Sequence, residues 1–248
     1  MRNMWQIGVG VVLVIGAGIA LYSAVGDDDS TVAARTPPSR AETVTPANAS
    51  ANIENTELAQ AQPPVADADF GEVAVEADDF VIGQATAPVT IIEYASLTCP
   101  HCAQFHEQVL PFIKKELVES GKVRLVYRDF PLDQVALAGS VLARCAGRDR
   151  YFAFLGVLFR DQSNWARSQN PGQALSQIAR LGGIGKEIFQ SCLSDNKLQE
   201  SILKQRLEGT QKYQINLTPT LIINGKKFSG GLTFDQIKAV IATMIPKT

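Results

Sequence analysis

Apolar and polar residues recur with different periods along this chain of 248 residues, and each period predicts a different element. Val89 to Ala95 reads Val-Thr-Ile-Ile-Glu-Tyr-Ala, β-branched and nearly continuously apolar, which suits a strand covered on both faces. Phe105, Val109, Phe112, Ile113 and Leu117 then fall at helical spacing up to a stop at Gly121, and Pro111 inside the run predicts a kink. Lys122 to Tyr127 returns as a second strand. Strand, helix and strand of these lengths make a βαβ unit, with parallel strands and a right-handed crossover. The loop after the first strand therefore lies at a carboxyl edge of the sheet, where open α/β sheets hold their sites.

Near the C-terminus, Thr220 to Ile223 is another strand, and Asn224-Gly225 is a type I′ hairpin signal leading into Lys226 to Ser229. Thr233 with Gln236 makes a capping-box pattern ahead of Phe234, Ile237, Val240, Ile241 and Met244 at helical spacing. Between these ends, residues 132–213 read as helices: Ala138, Val141, Leu142 and Cys145 share one face, and Phe152, Leu155 and Phe159 line another. Leu175, Ile178 and Ala179 mark a third helix, and Phe189, Cys192 and Leu193 a fourth. The organisation is a small α/β core, residues 70–131 and 214–248, interrupted by an inserted helical domain.

The N-terminal part is built differently. Ile7 to Val25 is an uncharged run of 19 residues, long enough as a helix to nearly cross a hydrocarbon core of about 30 Å. Arg2 precedes it and Asp27, Asp28 and Asp29 follow, so the positive-inside bias keeps the N-terminus cytoplasmic and sends the remainder across. Two readings stand for residues 1–26: a retained transmembrane anchor, or a signal peptide cleaved near Ala24-Val25-Gly26. Residues 27–69, rich in Ala, Thr, Ser, Asn and Pro and without an aromatic residue, read as a disordered tether because they cannot bury enough apolar surface to offset ordering entropy.

Composition narrows the chemistry. A formal charge of −2 argues against a nucleic-acid binder, which would carry a basic stripe. His101 and His106 are the only histidines, which removes a multi-His metal centre. The informative stretch is Cys99-Pro100-His101-Cys102 at the strand-to-helix junction. Two intervening residues at the first turn of a helix let the sulfurs reach bonding distance with little backbone movement. Cys99 would sit where unpaired amide hydrogens and the helix dipole favour a thiolate, with Pro100 suited to the first turn and His101, if protonated, adding positive charge. A zinc knuckle is disfavoured because Cys145 and Cys192 stand 47 positions apart, and c-type haem attachment needs His where Ala103 stands. An inert structural disulfide at this junction stays open as an alternative.

These residues resemble the DsbA family of thioredoxin-fold thiol-disulfide oxidoreductases over about residues 79–248. The resemblance rests on Cys99-Pro100-His101-Cys102, Ile91-Ile92-Glu93-Tyr94 before it, Phe105-His106 after it, Thr218-Pro219-Thr220 ahead of a strand and Asn-Gly turn, and the helical insertion. It implies a thioredoxin-like fold in which Cys99 is the nucleophile, Cys102 the buried resolving thiol, His101 a tuner of the thiolate and Pro219 a cis residue facing the disulfide. A Pro opening a strand also leaves backbone groups at Thr218 to pair with an extended peptide; an ordinary trans-Pro in a loop is the alternative. Glu93 matches an acidic family residue that exchanges a proton with the resolving thiol; a solvent-facing Glu on an uncovered sheet edge is the alternative. His106 reads as a packing or capping residue. In an oxidising compartment Cys145 and Cys192 read as a structural disulfide, with two buried free thiols as the alternative.

The function implied is a dithiol-disulfide oxidase of the bacterial cell envelope, on the periplasmic side. It would act on reduced exported proteins, be reoxidised by a membrane partner of DsbB type, and need no cofactor. A reductase or isomerase is the alternative within redox chemistry, and a non-catalytic peptide-binding module the alternative outside it.

Overall fold

Two long strands organise the α/β part of the computed structural model, which describes residues 64–245. Strand β3 (Val89–Ala95) pairs in parallel with β4 (Val123–Asp129), from Val89 opposite Val123 to Ala95 opposite Asp129, as a βαβ unit requires. Strand β5 (Thr220–Ile223) pairs antiparallel with the other edge of β3, and β6 (Lys226–Ser229) folds back on β5. Their connection is Asn224-Gly225, with φ of 43° and 87°, the two left-handed positions that a type I′ turn needs. Two short strands complete a six-stranded mixed sheet in the order β1-β6-β5-β3-β4-β2: β1 (Ala68–Asp69) on β6 and β2 (Phe80–Ile82) on β4.

Both faces of the sheet are covered, which explains the unbroken apolar run of β3. On one face Val89 and Ile91 meet Phe105, Ile113 and Leu117 of the crossover segment and Ile237, Val240 and Ile241 of the C-terminal helix. On the other, Ile92, Tyr94 and Val126 pack with Phe130, Ile215 and Ile222. Each fully buried side chain of this size contributes about 1.5–3 kcal/mol by leaving water.

The crossover helix breaks where its proline dictates. Helix α1 (Pro100–Gln108) stops before Val109, the short α2 (Leu110–Phe112) contains Pro111, and Ile113–Val118 continues as a π-helical turn. Pro111 has no amide hydrogen for the carbonyl four residues back, so the ladder is lost there. The wider turn is then carried by bonds five residues long: Glu119 N to Lys114 O at 3.0 Å and Lys122 N to Leu117 O at 3.0 Å.

The insertion is helical throughout: α3 (Gln134–Cys145), α4 (Arg148–Arg160), α5 (Gln162–Trp165), α6 (Pro171–Leu181), α7 (Lys186–Leu193) and α8 (Asn196–Tyr213). Periodicity alone did not separate α8, because only Ile202 and Gly209 of its residues are buried and no apolar stripe runs along it. Helix α9 (Phe234–Ala242) closes the chain behind a capping box in which Thr233 and Gln236 exchange side-chain-to-backbone bonds. The helices α3 to α7 join Ala95, Leu97, Cys99 and Cys102 in the largest apolar cluster, so the insertion roofs the cysteine pair.

The sheet reaches into residues that composition assigns to the tether. Ala68–Asp69 pair with Lys226 and Lys227, and Ser229 N donates to Asp67 Oδ2 at 2.6 Å. An edge strand held by main-chain bonds needs no apolar side chains, so a hydrophobic pattern is silent about it. The expected membrane segment at residues 7–25, and the tether up to residue 63, lie outside the described residues. Among the described residues, no helix is long and apolar enough to cross a membrane.

Candidate active site

Cys99 lies between the end of β3 and the start of α1, as the N-cap of that helix, with φ −82° and ψ 118° and Pro100 in the first turn. Three anchors hold this loop. Thr98 Oγ1 donates to Asp133 Oδ2 at 2.7 Å, Leu132 N donates to Ser96 Oγ at 3.2 Å, and the buried Gln162 amide donates to Leu97 O at 2.9 Å and Cys99 O at 3.0 Å. The last comes from α5 in the insertion, so the helical domain bonds the Cys99 loop directly.

The two thiols, both reduced, differ in every physical respect. Cys102 is fully buried, whereas Cys99 keeps 6% of its surface, so a foreign sulfur can approach only Cys99. The Cys102 thiol donates to the Cys99 sulfur and pulls its pKa down to about 5, against the opposing cost of partial burial. The backbone amides of Cys102 and His101 add to the lowering. His101 contributes its backbone amide at the helix N-terminus, and its side chain is exposed to solvent. Burial, with the adjoining Cys99 sulfur, drives the Cys102 thiol far the other way, and the Glu93 charge raises it further.

The Thr218–Pro219 peptide bond is cis, and the Cys99 thiol donates to Thr218 O at 3.2 Å. The Thr218 hydroxyl is buried without a hydrogen-bond partner. Beside the pair, a groove of about 220 Å³ runs between α1 and the loop before α9, lined by His101, Gln104, Phe105, Val109 and Leu232.

Glu93, in the middle of β3 opposite Tyr127 and Leu221, is fully buried. Its carboxylate meets His106 Nε2 at 3.0 and 3.1 Å. His106, read from its position as packing or capping, does pack, with its ring 3.9 Å from that of Phe159, but it is also the polar partner of Glu93. Sequence spacing offered one clue: His106 stands one helical turn after Cys102, on the same inward face. Gln162 and Asp133 were missed because they lie 60 and 31 positions beyond Cys102, without a motif of their own.

Cys145 and Cys192 form a disulfide between α3 and α7, with Cα atoms 6.2 Å apart. Among the described residues, no group of three or more His, Cys, Asp or Glu side chains is placed to hold a metal ion.

Comparison with known proteins matches this arrangement. The family model described as Thioredoxin covers residues 76–243. The Wolbachia pipientis α-DsbA1 structure superposes with a TM-score of 0.66 at 29% identity, over 69% of this chain and 93% of that one. The chain belongs to the DsbA family of thioredoxin-fold proteins. A Rickettsia bellii protein named "Putative protein-disulfide oxidoreductase" is 30% identical over 175 residues, 70% of this chain and 67% of its own. A second, from Rickettsia felis, is 30% identical over 168 residues and is matched over 60% of its length, so the curated relatives extend well beyond the matched segment. Bacillus subtilis BdbD, at 22% identity and TM-score 0.63 over 74% of this chain and 98% of that one, shares the fold.

Proposed function

We propose that the protein is a cell-envelope dithiol-disulfide oxidase working through Cys99 and Cys102. One observation carries the reading: the same pair holds a thiol pulled down to about 5 on the accessible side and a thiol pushed up by burial on the sealed side. A stabilised Cys99 thiolate makes the dithiol the favoured form and the disulfide an oxidant. In the oxidised protein a client thiolate attacks the Cys99 sulfur and Cys102 leaves. A second client thiolate then attacks the client sulfur of the mixed disulfide, expelling Cys99 as its thiolate and releasing the oxidised client.

Thr218, presented by the cis bond to Pro219, offers main-chain atoms to an extended client peptide beside Cys99. Glu93 serves as the buried group that exchanges a proton with Cys102, supported by its full burial and its electrostatic effect on that thiol. The structural disulfide Cys145–Cys192 suits an oxidising compartment, and the apolar run Ile7 to Val25 suits an anchor or export signal that delivers the domain to the periplasmic side. The clients are then reduced exported proteins, with a membrane partner of DsbB type accepting the electrons.

The test is the reduction potential of Cys99–Cys102 in the full chain, measured against glutathione. An oxidase requires a value well above the roughly −270 mV of thioredoxin; a value at or below that level identifies a reductase. Cys102→Ser, which leaves Cys99 with no resolving partner, is expected to accumulate mixed disulfides with clients, and Cys99→Ser to abolish turnover.

A further inference from the structure

The mechanism above gives Glu93 a proton to exchange but not the place where that proton is kept. The pocket around the carboxylate answers this. Glu93 is fully buried on β3, and the side chain touching both of its oxygens is His106, itself only 4% exposed. His106 follows Cys102 by one turn of α1, so thiol and imidazole share a face with their Cβ atoms about 5–6 Å apart, and Glu93 faces both from the strand. The imidazole is fixed by rings: Phe159 of α4 at 3.9 Å, Tyr127 of β4 at 5.8 Å and Phe105 at 6.1 Å. Other titratable groups that feel the carboxylate are Tyr127, Tyr151 of α4 and the half-buried Lys114 on the π-helical turn. Both tyrosine hydroxyls are pushed well above their ordinary range by burial and stay neutral, and Lys114 makes no ion pair with the carboxylate. A buried carboxylate held against a buried imidazole can carry one proton or none, the balance a thiol needs when it alternates between disulfide and dithiol.

We propose that His106 is the proton store of the redox site, feeding Cys102 through Glu93. When a client thiolate opens the disulfide, Cys102 leaves as a thiolate in an apolar surrounding. Glu93 takes the imidazolium proton and passes it to the Cys102 sulfur, leaving Cys102 as a thiol, Glu93 again as a carboxylate and His106 neutral. When the pair closes again, the Cys102 proton returns by the same route as its sulfur attacks the Cys99 sulfur of the mixed disulfide. The electrons move only between sulfurs, and the proton count inside the site is unchanged over the cycle. His106 is a positioning residue, because it acts through Glu93. The inference rests on the oxidase reading only in the direction of the steps; the proton exchange holds for either direction.

The experiment follows closure of Cys102 onto Cys99 carrying glutathione, in the full chain, as glutathione release over pH 4 to 8. His106→Gln keeps an amide to donate to Glu93 but holds no titratable proton. The expected result is closure slowed about tenfold or more at pH 7, with the pH profile displaced. Alkylation of reduced Cys99 by iodoacetamide should still titrate near pH 5, as in the unsubstituted protein. Glu93→Gln should slow closure equally, and the double variant no further, because the two act in series. A His106→Gln protein with the original profile, even with a lower melting temperature, overturns the proposal. Should that variant fail to fold, Glu93→Gln combined with the same profile measurement decides: an undisplaced profile overturns it. If instead the unsubstituted protein fails to oxidise a peptide dithiol while the displaced profiles are seen, the oxidase reading falls and the proton store stands.

Discussion

At the residue scale the protein turns on how differently two sulfurs three positions apart are solvated. Cys99 receives the Cys102 thiol and two helix-terminal amides, and Cys102 receives almost nothing that could hold a charge. Because the folded Cys99 titrates near 5 and an unfolded cysteine near 9, the folded dithiol binds fewer protons than the unfolded chain between those values. Stability of the reduced protein should therefore rise with pH across that window, be complete above about 9, and disappear as pH falls through about 5. The oxidised protein lacks the titrating thiol, so denaturant midpoints of the two redox forms should converge at low pH and separate as pH increases. Midpoints that keep a constant separation from pH 5 to 8 would contradict the thiolate. Glu93 shows the same dependence on surroundings: Tyr94, its neighbour in β3, points to the opposite face and meets Arg128, while Glu93 meets His106.

At the element scale, the short helix α5 matters more than its four residues suggest. Gln162 donates to two carbonyls of the Cys99 loop at once. Gln162→Leu leaves the Leu97 carbonyl without its partner, while the Cys99 carbonyl keeps the amides of Cys102 and Ala103, and should cost about 1–3 kcal/mol. It should also loosen the Cys99 loop, so chemical denaturation and the Cys99 alkylation rate are expected to change together; a change in stability alone would mean the clamp does not position the sulfur. Helix α8 is placed by a close approach rather than by an apolar stripe. A Cβ on Gly209 would come within 2.8 Å of Tyr94 Cε1, a ring held in the core beneath the sheet. Gly209→Ala is therefore expected to lower stability by about 1–3 kcal/mol despite the better helix propensity of alanine, as read from thermal melts.

Across the whole molecule, core and insertion are tied by buried charge as well as by apolar packing. Asp129 at the end of β4 is fully buried and accepts from Arg144 Nε of α3 at 2.7 Å, while Gln205 of α8 accepts from Asp129 N and from Arg144 Nη2, both at 2.8 Å. On the other side of β4, Arg128 bonds Asp79 Oδ2 at 2.7 Å and the Tyr94 hydroxyl at 3.0 Å. Arg144→Met strands the Asp129 carboxylate and should cost about 3–5 kcal/mol in denaturant titration, the expected scale for breaking one side of a buried pair. The Cys145–Cys192 disulfide links α3 to α7 across 47 positions. Replacing both by Ala should lower stability by about 2–5 kcal/mol while the Cys99–Cys102 potential stays put, because Cys145 is the last residue of α3, about three turns from the Asp133 end that meets the Cys99 loop.

What was written in the order of residues was everything local: the βαβ unit, the Asn224-Gly225 turn, the capping box at Thr233, the break at Pro111 and the dithiol at a helix start. These follow from period, φ preference and missing donors, which act over a few residues. The pairing of Glu93 with His106, the reach of Gln162 to Cys99, the strand at Ala68–Asp69 and the course of α8 were settled by the folded chain. Each depends on a main-chain bond, a face or a close approach between segments far apart in sequence, and no local pattern carries that information.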